Sequence, residues 1–453
     1  MADYILKCSC AECGAEYADT SSLRLRCDRE LNGEHGPALL KPVYEQKRLK
    51  VRTDLPGIFM YSDWLPTGSI YVSPDKGHLG QPFCYKSSGL AKRLGLKKLF
   101  IAFSGYWTER GASAVSRTFK EFEVQASVAN YLNAYKDRGE APALVISSAG
   151  NTGNGFNLLT HQLGMPLYLF IPETGLNNLV LTEKTAPFAV VVKGDYTDAI
   201  AMADKVADKV GLIRNGGALN VARRAGMGCV MLHAVAHPEQ GRQKMFDHYF
   251  QAVGSASGAI AAWEAVQLLL EDGRFGDSPT RIHMAQNVPF TPICDAWEAN
   301  LPDLIAVREE LARERLGAVT ATVLTNRNPP YSSAGGIREV LEASAGSTWR
   351  VNNFDLFHAA RAFRTTEGVD IGPAAAVAVD SLRQAVEAGE VKSGESVLLH
   401  ITGGGREIQY SEVPVYRVEP TMTVHPSEVE KVVSAIGRPK PVSINSSAIR
   451  NYG

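Results

Sequence analysis

From residue 97 onward one pattern repeats: a short run with an apolar centre, a turn, then a stretch with helical periodicity. The apolar runs are KKLFIAF (97–103), PALVIS (142–147), PLYLFIP (166–172), FAVVVKG (188–194), the start of HYFQAVG (248–254), TRIHMAQNV (280–288) and ESVLLHI (395–401). Between them, FEVQASVANYLNAYKDRG (122–139), GFNLLTHQLG (155–164), YTDAIAMADKVADKVG (196–211, started by Thr197 or Asp198) and the long segment after Gly258 read as helices. Runs that are apolar on both faces and alternate with helices build parallel sheets covered on both sides. The order predicts an α/β fold with mainly parallel, doubly wound sheets. The 453 residues suffice for two such domains plus appendages.

The chain is 45% hydrophobic and 21% charged with a formal net charge of −1, an ordinary globular balance. That charge gives no case for nucleic acid or a membrane surface as partner through bulk electrostatics, and leaves local basic pockets open. No apolar run approaches the roughly 18–20 residues of a spanning helix. MADYILKCSCAECG lacks the apolar core of a signal peptide, so a cytoplasmic location is expected, with the seven cysteines as free thiols or metal ligands. Four of them fall in the first 27 residues. Cys10, Cys13 and Cys27 are half of a zinc ribbon, and Cys8 or His35 could complete a tetrahedral set. The alternative is a ribbon-shaped remnant held by packing.

Three loops at strand ends are built of small and polar residues. Gly254-Ser255-Ala256-Ser257-Gly258 joins a strand to a helix, so backbone N–H groups and the helix N-terminus converge there. That is an anion cradle suited to a phosphate, or else a tight turn; no Gly-Lys-Ser/Thr ending marks a nucleoside-triphosphate loop. VISSAGNTGNG (145–155) places Ser147, Ser148, Asn151 and Thr152 at the carboxyl end of a parallel strand, where open α/β sheets bind ligands. Thr402-Gly403-Gly404-Gly405 ends a late strand on the same face. Three such loops suggest one flat ligand with a phosphate tail. Lys120, in RTFKEFE, precedes the strand of the second loop. A lone lysine is ordinarily a solvated surface group.

Together these features resemble the fold-type II (tryptophan synthase β-like) pyridoxal-phosphate enzymes, in which a Ser-Phe-Lys-Asp type motif precedes a Ser-Gly-Asn-Thr-Gly type loop, a glycine loop and a late Ser or Thr. Within that group the chain is most similar to the cysteate synthases, related to the threonine synthases. The matching stretches are DWLP (63–66), YKSSGLAKRLGLKKLFIAFSGYW (85–107), TFKE (118–121), SSAGNTG (147–153), GDYTDAI (194–200), NVARRAGMG (220–228), DHYFQAVGSASGAIAAWEA (247–265), ATVLTNRNPPYSSAGG (321–336) and ITGGG (401–405). Thr118 replaces the usual Ser, and LPTGSIY (65–71) mimics a threonine synthase lysine motif without placing a lysine.

The resemblance implies a ribbon-like segment 1–45, a large cofactor domain in two parts (46–111 and 229–420), a small domain 112–228 and a tail 421–453. It implies that Lys120 carries pyridoxal phosphate as a Schiff base and acts as base. Gly254, Ser255, Ala256, Ser257 and Gly258 would hold the cofactor phosphate, Asn151 its ring hydroxyl and Thr402 its ring nitrogen. Ser147, Ser148, Asn151 and Thr152 would receive a substrate carboxylate. The implied reaction is β-replacement: O-phosphoserine loses phosphate to give an aminoacrylate, sulfite adds, and cysteate leaves. The alternatives are O-phosphohomoserine with water, another nucleophile on phosphoserine, or a non-catalytic relative. A homodimer is expected.

Two anions require basic residues, and Arg110, Arg117, Arg223, Arg224 and Lys184 are candidates, of which Arg117 and Arg223 are preferred. Adjacent helix residues face different ways, so at most one of Arg223 and Arg224 is expected at the site. His233 and His237 are spaced i, i+4, as on a metal-binding helix face, but with nothing else to support a metal they read as a solvated or packed pair. Tyr106 and Trp107 could stack near the cofactor or serve as core. In the tail, Ser427 and Glu430 predict a capping box for a helix ending at Ile436, and RPKPVSINSSAIRNYG is expected to be an arm or disordered.

Overall fold

The strand Leu144–Ser147 and its neighbours Leu167–Pro172 and Phe188–Val192 are buried almost without a break, as strands covered on both faces must be. They form the centre of a five-stranded sheet ordered Ile213–Arg214, Leu144–Ser147, Leu167–Pro172, Phe188–Val192, Met422–Val424. Every pair in it is parallel, with Val145 opposite Tyr168 and Leu169 opposite Ala189. A six-stranded sheet runs Ser347–Val351, Arg281–Asn287, His248–Ala252, Ser396–Ile401, Lys98–Phe103, Cys84–Lys86. It is parallel except for its last pair, where Cys84 lies antiparallel to Ala102. The structure is a computed structural model that describes residues 7–18, 23–74, 79–148, 150–240, 242–444 and 449–451. The α/β reading with parallel sheets holds.

Three helices pack in series in the core: Lys120–Tyr135 on Val221–Ala236, and Val221–Ala236 on Ser257–Asp272. The first contact needs a glycine, because a Cβ on Gly226 would lie 2.3 Å from the carbonyl oxygen of Phe122. The backbones therefore approach more closely than any side chain allows, and this sets Lys120 against the start of the Val221–Ala236 helix.

Several boundaries differ from the sequence reading. The helix assigned to 155–164 begins at Asn151, so the polar loop is itself the first helical turn. The helix Tyr196–Val210 starts in a capping box: Asp195, at the N-cap, accepts from Thr197 N at 2.8 Å, and Asp198 accepts in return from Asp195 N at 2.9 Å. In the tail, Ser427 and Glu430 form no capping box. The helix runs Val429–Ile436 after Glu428, whose carboxylate accepts from His425 N at 2.7 Å. The described part of the stretch read as a free arm is anchored: Val442–Ser443 pairs antiparallel with Glu140–Ala141, and Ile449–Asn451 with Ile70–Val72, while 445–448 and 452–453 lie outside the described residues. The chain before the first sheet folds as a three-stranded antiparallel ribbon of Glu16–Tyr17, Lys7–Cys10 and Leu40–Val43.

Candidate active site

Lys120 is the first residue of its helix, and the backbone before it is stitched to the late glycine loop. Thr118 bridges Gly403, and Phe119 N donates to Thr402 O at 3.2 Å. The strands Leu144–Ser147, His248–Ala252 and Ser396–Ile401 thus deliver their loops to one place. A cavity of about 470 Å³ there is lined by Lys120, Ser148, Asn151, Thr152, Arg223, Gly254, Ser255, Ala256, Ser257, Gly258 and Thr402. An adjoining cavity of about 610 Å³ shares Asn151, Thr322, Val323, Ala374 and Thr402 with the first.

The amine of Lys120 lies 3.1 Å from Glu123 Oε2 and 3.5 Å from Met227 Sδ, with the ring of Phe119 4.7 Å away. Its side chain is only 18% exposed. Burial pulls its pKa below the ordinary lysine value, with Arg223 pushing the same way and Glu123 opposing. Glu123 is fully buried and serves three partners: Lys120, Arg223 Nη2 at 2.6 Å and the Thr152 hydroxyl, which donates at 2.8 Å. Burial works to raise this carboxyl, but the Arg223 and Lys120 charges and the hydrogen bonds outweigh it and hold it below the usual carboxylate range. Glu123 was not singled out in the sequence. Its only signal is position: i+3 from Lys120, one turn along the same face.

The glycine turn is shaped for close approach. Ala256 has φ +54°, and the 16-residue helix that follows has no side-chain cap, so its first N–H groups are free of side-chain partners. A Cβ on Gly258 would fall 2.5 Å from Gln251 Nε2 and 2.8 Å from the Phe119 ring. Arg223 Nε is buried with no partner in the chain, and so is Thr118 Oγ1 beside the second cavity. A reactive amine with a lowered pKa, an open helix N-terminus, a hydroxyl at Thr402 and unclaimed donors are a donor set that fits pyridoxal phosphate.

The other candidates are placed differently. Ser147 does not line the Lys120 cavity, and its hydroxyl is buried without a partner. Ser148 lines the cavity, but its hydroxyl accepts from Gly150 N at 3.2 Å and Gly153 N at 2.8 Å, closing the helix start. Arg117 lines only the second cavity. Its guanidinium bonds Gln409 Oε1 and the carbonyl of Val180. Arg224 is wholly buried and pairs with Glu264 at 2.9 Å, away from the cavity that Arg223 faces. Arg110 stacks over Tyr85 and Trp107, and Lys184 is exposed outside both cavities. Trp107 is core, and the Tyr106 hydroxyl donates to Glu412. His233, held by Tyr61 and pulled down to about 3 by burial, stacks on His237 as a packed pair. Cys10, Cys13, Cys27 and His35 come together in the ribbon, without Cys8.

The profile of the family described as "Pyridoxal-phosphate dependent enzyme" matches residues 108–403. The cysteate synthase of Methanosarcina acetivorans is 39% identical over 434 residues, covering 95% of this chain and 98% of that protein. That of Methanoculleus marisnigri is 42% identical over 424 residues, covering 92% and 93%. Among solved structures, maize serine racemase superposes with TM-score 0.53 at 15% identity, covering 72% of this chain and 88% of that one. Diaminopropionate ammonia lyase from Escherichia coli gives 0.54 at 14% identity, covering 74% and 87%. These two show the fold alone. Near-complete mutual coverage at such identity settles the affiliation: the chain belongs to the pyridoxal-phosphate-dependent enzymes of fold type II, in the cysteate synthase family.

Proposed function

We propose that the protein forms L-cysteate from O-phospho-L-serine and sulfite by β-replacement, releasing phosphate. The observation that carries this reading is the buried amine of Lys120 in one cavity with the Gly254–Gly258 turn, in a chain 39–42% identical to cysteate synthases. Pyridoxal phosphate, when bound, supplies the electron sink that acidifies the substrate's α-carbon. Lys120 would hold its aldehyde, the Gly254–Gly258 turn its phosphate, Asn151 its ring hydroxyl and Thr402 its ring nitrogen. A hydroxyl facing that nitrogen does not force its protonation, which suits elimination and replacement.

The chain's own residues do the rest. Lys120 Nζ, once free and with a lowered pKa, takes the α-proton and returns it to the same carbon. The β-carbon–oxygen bond breaks with its electron pair leaving on phosphate. A carbon–sulfur bond forms from the sulfite lone pair, so nothing is oxidised or reduced overall. The Thr152 hydroxyl donates to Glu123, so the substrate carboxylate falls to the Asn151 side chain, the N–H groups of that first turn and the Ser148 hydroxyl, which accepts from Gly150 and Gly153 and keeps its own proton to donate. Arg223, with an unclaimed Nε beside the cavity, meets the anions.

The test is phosphate release and product mass with phosphoserine plus sulfite, sulfide or water, beside phosphohomoserine. Phosphate matched by cysteate is expected only with sulfite. Release from phosphohomoserine alone would overturn the reading in favour of threonine synthesis.

The assembly that goes with this reading is a homodimer in the cytoplasm. Phe354 and Phe357, 71% and 60% exposed on one helix, are apolar surface that a second copy would cover. None of the seven cysteines is in a disulfide, and no helix among the described residues is long and apolar enough to cross a membrane. Sedimentation of the purified chain as a monomer would overturn the dimer.

A further inference from the structure

The N-terminal ribbon reaches the active-site cavity. Arg26, Glu30, Pro37 and Ala38 contribute to its lining, with Arg26 Nη1 3.4 Å from Glu30 Oε1. The segment is held to the body through backbone: Leu39 N donates to Ala334 O and Ala334 N to Pro37 O, both at 2.9 Å. Between these anchors and the first ribbon strands, little apolar core supports residues 23–36. The short helix Asp28–Leu31 has no buried residue. Hydrophobic burial gives this wall few anchors: Leu23 packs against the core, and Cys27 is the one fully buried residue of 23–36.

Cys10, Cys13, Cys27 and His35 stand in that position, with their ligand atoms all within 4.8 Å of one another. A tetrahedral zinc site with metal–sulfur bonds of about 2.3 Å requires sulfur–sulfur edges of about 3.8 Å, and slightly shorter sulfur–nitrogen edges. Cys13 Sγ and Cys27 Sγ are 3.7 Å apart, and His35 Nε2 is 3.7 Å from Cys10 Sγ and 3.4 Å from Cys27 Sγ. The surroundings suit a bound ion. His35 Nδ1 donates to Gly36 O at 2.7 Å, which leaves Nε2 with a free lone pair aimed at the sulfurs. The Tyr17 hydroxyl lies 3.0 Å from Cys27 Sγ as an outer donor to a thiolate. Cys27 is also the residue from which the Asp28–Leu31 helix starts, so its sulfur ties that helix to the Cys10–Cys13 turn.

We propose that Cys10, Cys13, Cys27 and His35 bind one Zn²⁺, and that this ion fixes the Arg26–Ala38 segment as the outer wall of the active-site cavity. Cys27 and His35 bracket Glu30, so the ion sets the distance of this carboxylate and its Arg26 partner from the Lys120 side of the cavity. Loss of the ion frees the wall without touching Lys120, Thr402 or the glycine turn.

The test uses the full chain purified from zinc-supplemented medium, with metal content measured by elemental mass spectrometry. One zinc per chain is expected, lost in Cys13→Ser and His35→Ala and kept in Cys8→Ser. Chelation of the parent protein should speed hydrogen exchange across 23–40 by about tenfold and raise KM for the amino-acid substrate more than it lowers kcat, while the visible cofactor band stays. That band reports that each variant is still folded, and the chelated parent needs no mutation. Zinc-free parent protein, full zinc in Cys13→Ser or His35→Ala, loss of zinc in Cys8→Ser, or an iron–sulfur absorbance would overturn the site. Unchanged exchange across 23–40 after chelation would overturn the wall. Zinc content and exchange do not depend on which reaction the enzyme performs, so their failure is distinct from failure of the functional reading.

Discussion

Glu123 Oε2 sits 3.1 Å from Lys120 Nζ, one helical turn along, and its other oxygen accepts from Arg223 and Thr152. One buried carboxylate therefore sets the position of the amine, of the cation facing the cavity and of the second residue of the polar loop's helix.

Replacing Glu123 with Gln removes the charge that favours the ammonium form of Lys120. Binding to an aldehyde needs the neutral amine, so the rate at which apoenzyme takes up pyridoxal phosphate should rise with pH through the Lys120 pKa. In Glu123→Gln that rise should move to lower pH, because burial and Arg223 then act unopposed. Stopped-flow uptake across pH checks it; a shift to higher pH would contradict the assignment. The same change leaves a buried arginine without its carboxylate and should cost about 3–5 kcal/mol of stability, read by denaturant unfolding.

Gly258→Ala places a methyl 2.5 Å from Gln251 Nε2 and against Phe119. Overpacking of this kind costs about 1–3 kcal/mol. Here it acts on the turn that faces the cofactor phosphate. The variant should release pyridoxal phosphate more readily on dialysis while its apo form keeps most of its stability.

Arg223 and Arg224 are neighbours with opposite duties. Arg223→Gln should raise KM for phosphoserine and sulfite, with a smaller loss of stability. Arg224→Gln should cost about 3–5 kcal/mol, because it strands Glu264 and the carbonyls of Ala218 and Leu40, yet leave KM near the parent value in whatever fraction folds. Steady-state kinetics beside thermal unfolding separate the two.

The sequence disclosed what is local. Apolar runs covered on both faces announced the strands, and the small residues after Ser147, Gly254 and Thr402 announced the loops that meet at the cavity. It could not disclose where each loop's polar groups are spent. Nothing local shows that the Ser148 hydroxyl accepts from two N–H groups at the start of the Asn151 helix, or that the Arg117 guanidinium bonds Val180 and Gln409. Glu123 carries no motif of its own. His35 rather than Cys8 joins the cysteines because the path from Cys27 to Pro37 folds back on Ala334, a contact across the chain that no local pattern encodes. The tail is the same case: its anchoring strands pair with partners roughly 300 or more residues away.

The central claim is a covalent one, that the amine of Lys120 carries the cofactor. Borohydride reduction of the holoenzyme followed by peptide mass mapping tests it directly. The account predicts a pyridoxyl-phosphate adduct on Lys120 and its disappearance, with the visible band, in Lys120→Ala. An adduct on another lysine, or an unmodified Lys120 in fully reduced holoenzyme, would contradict it.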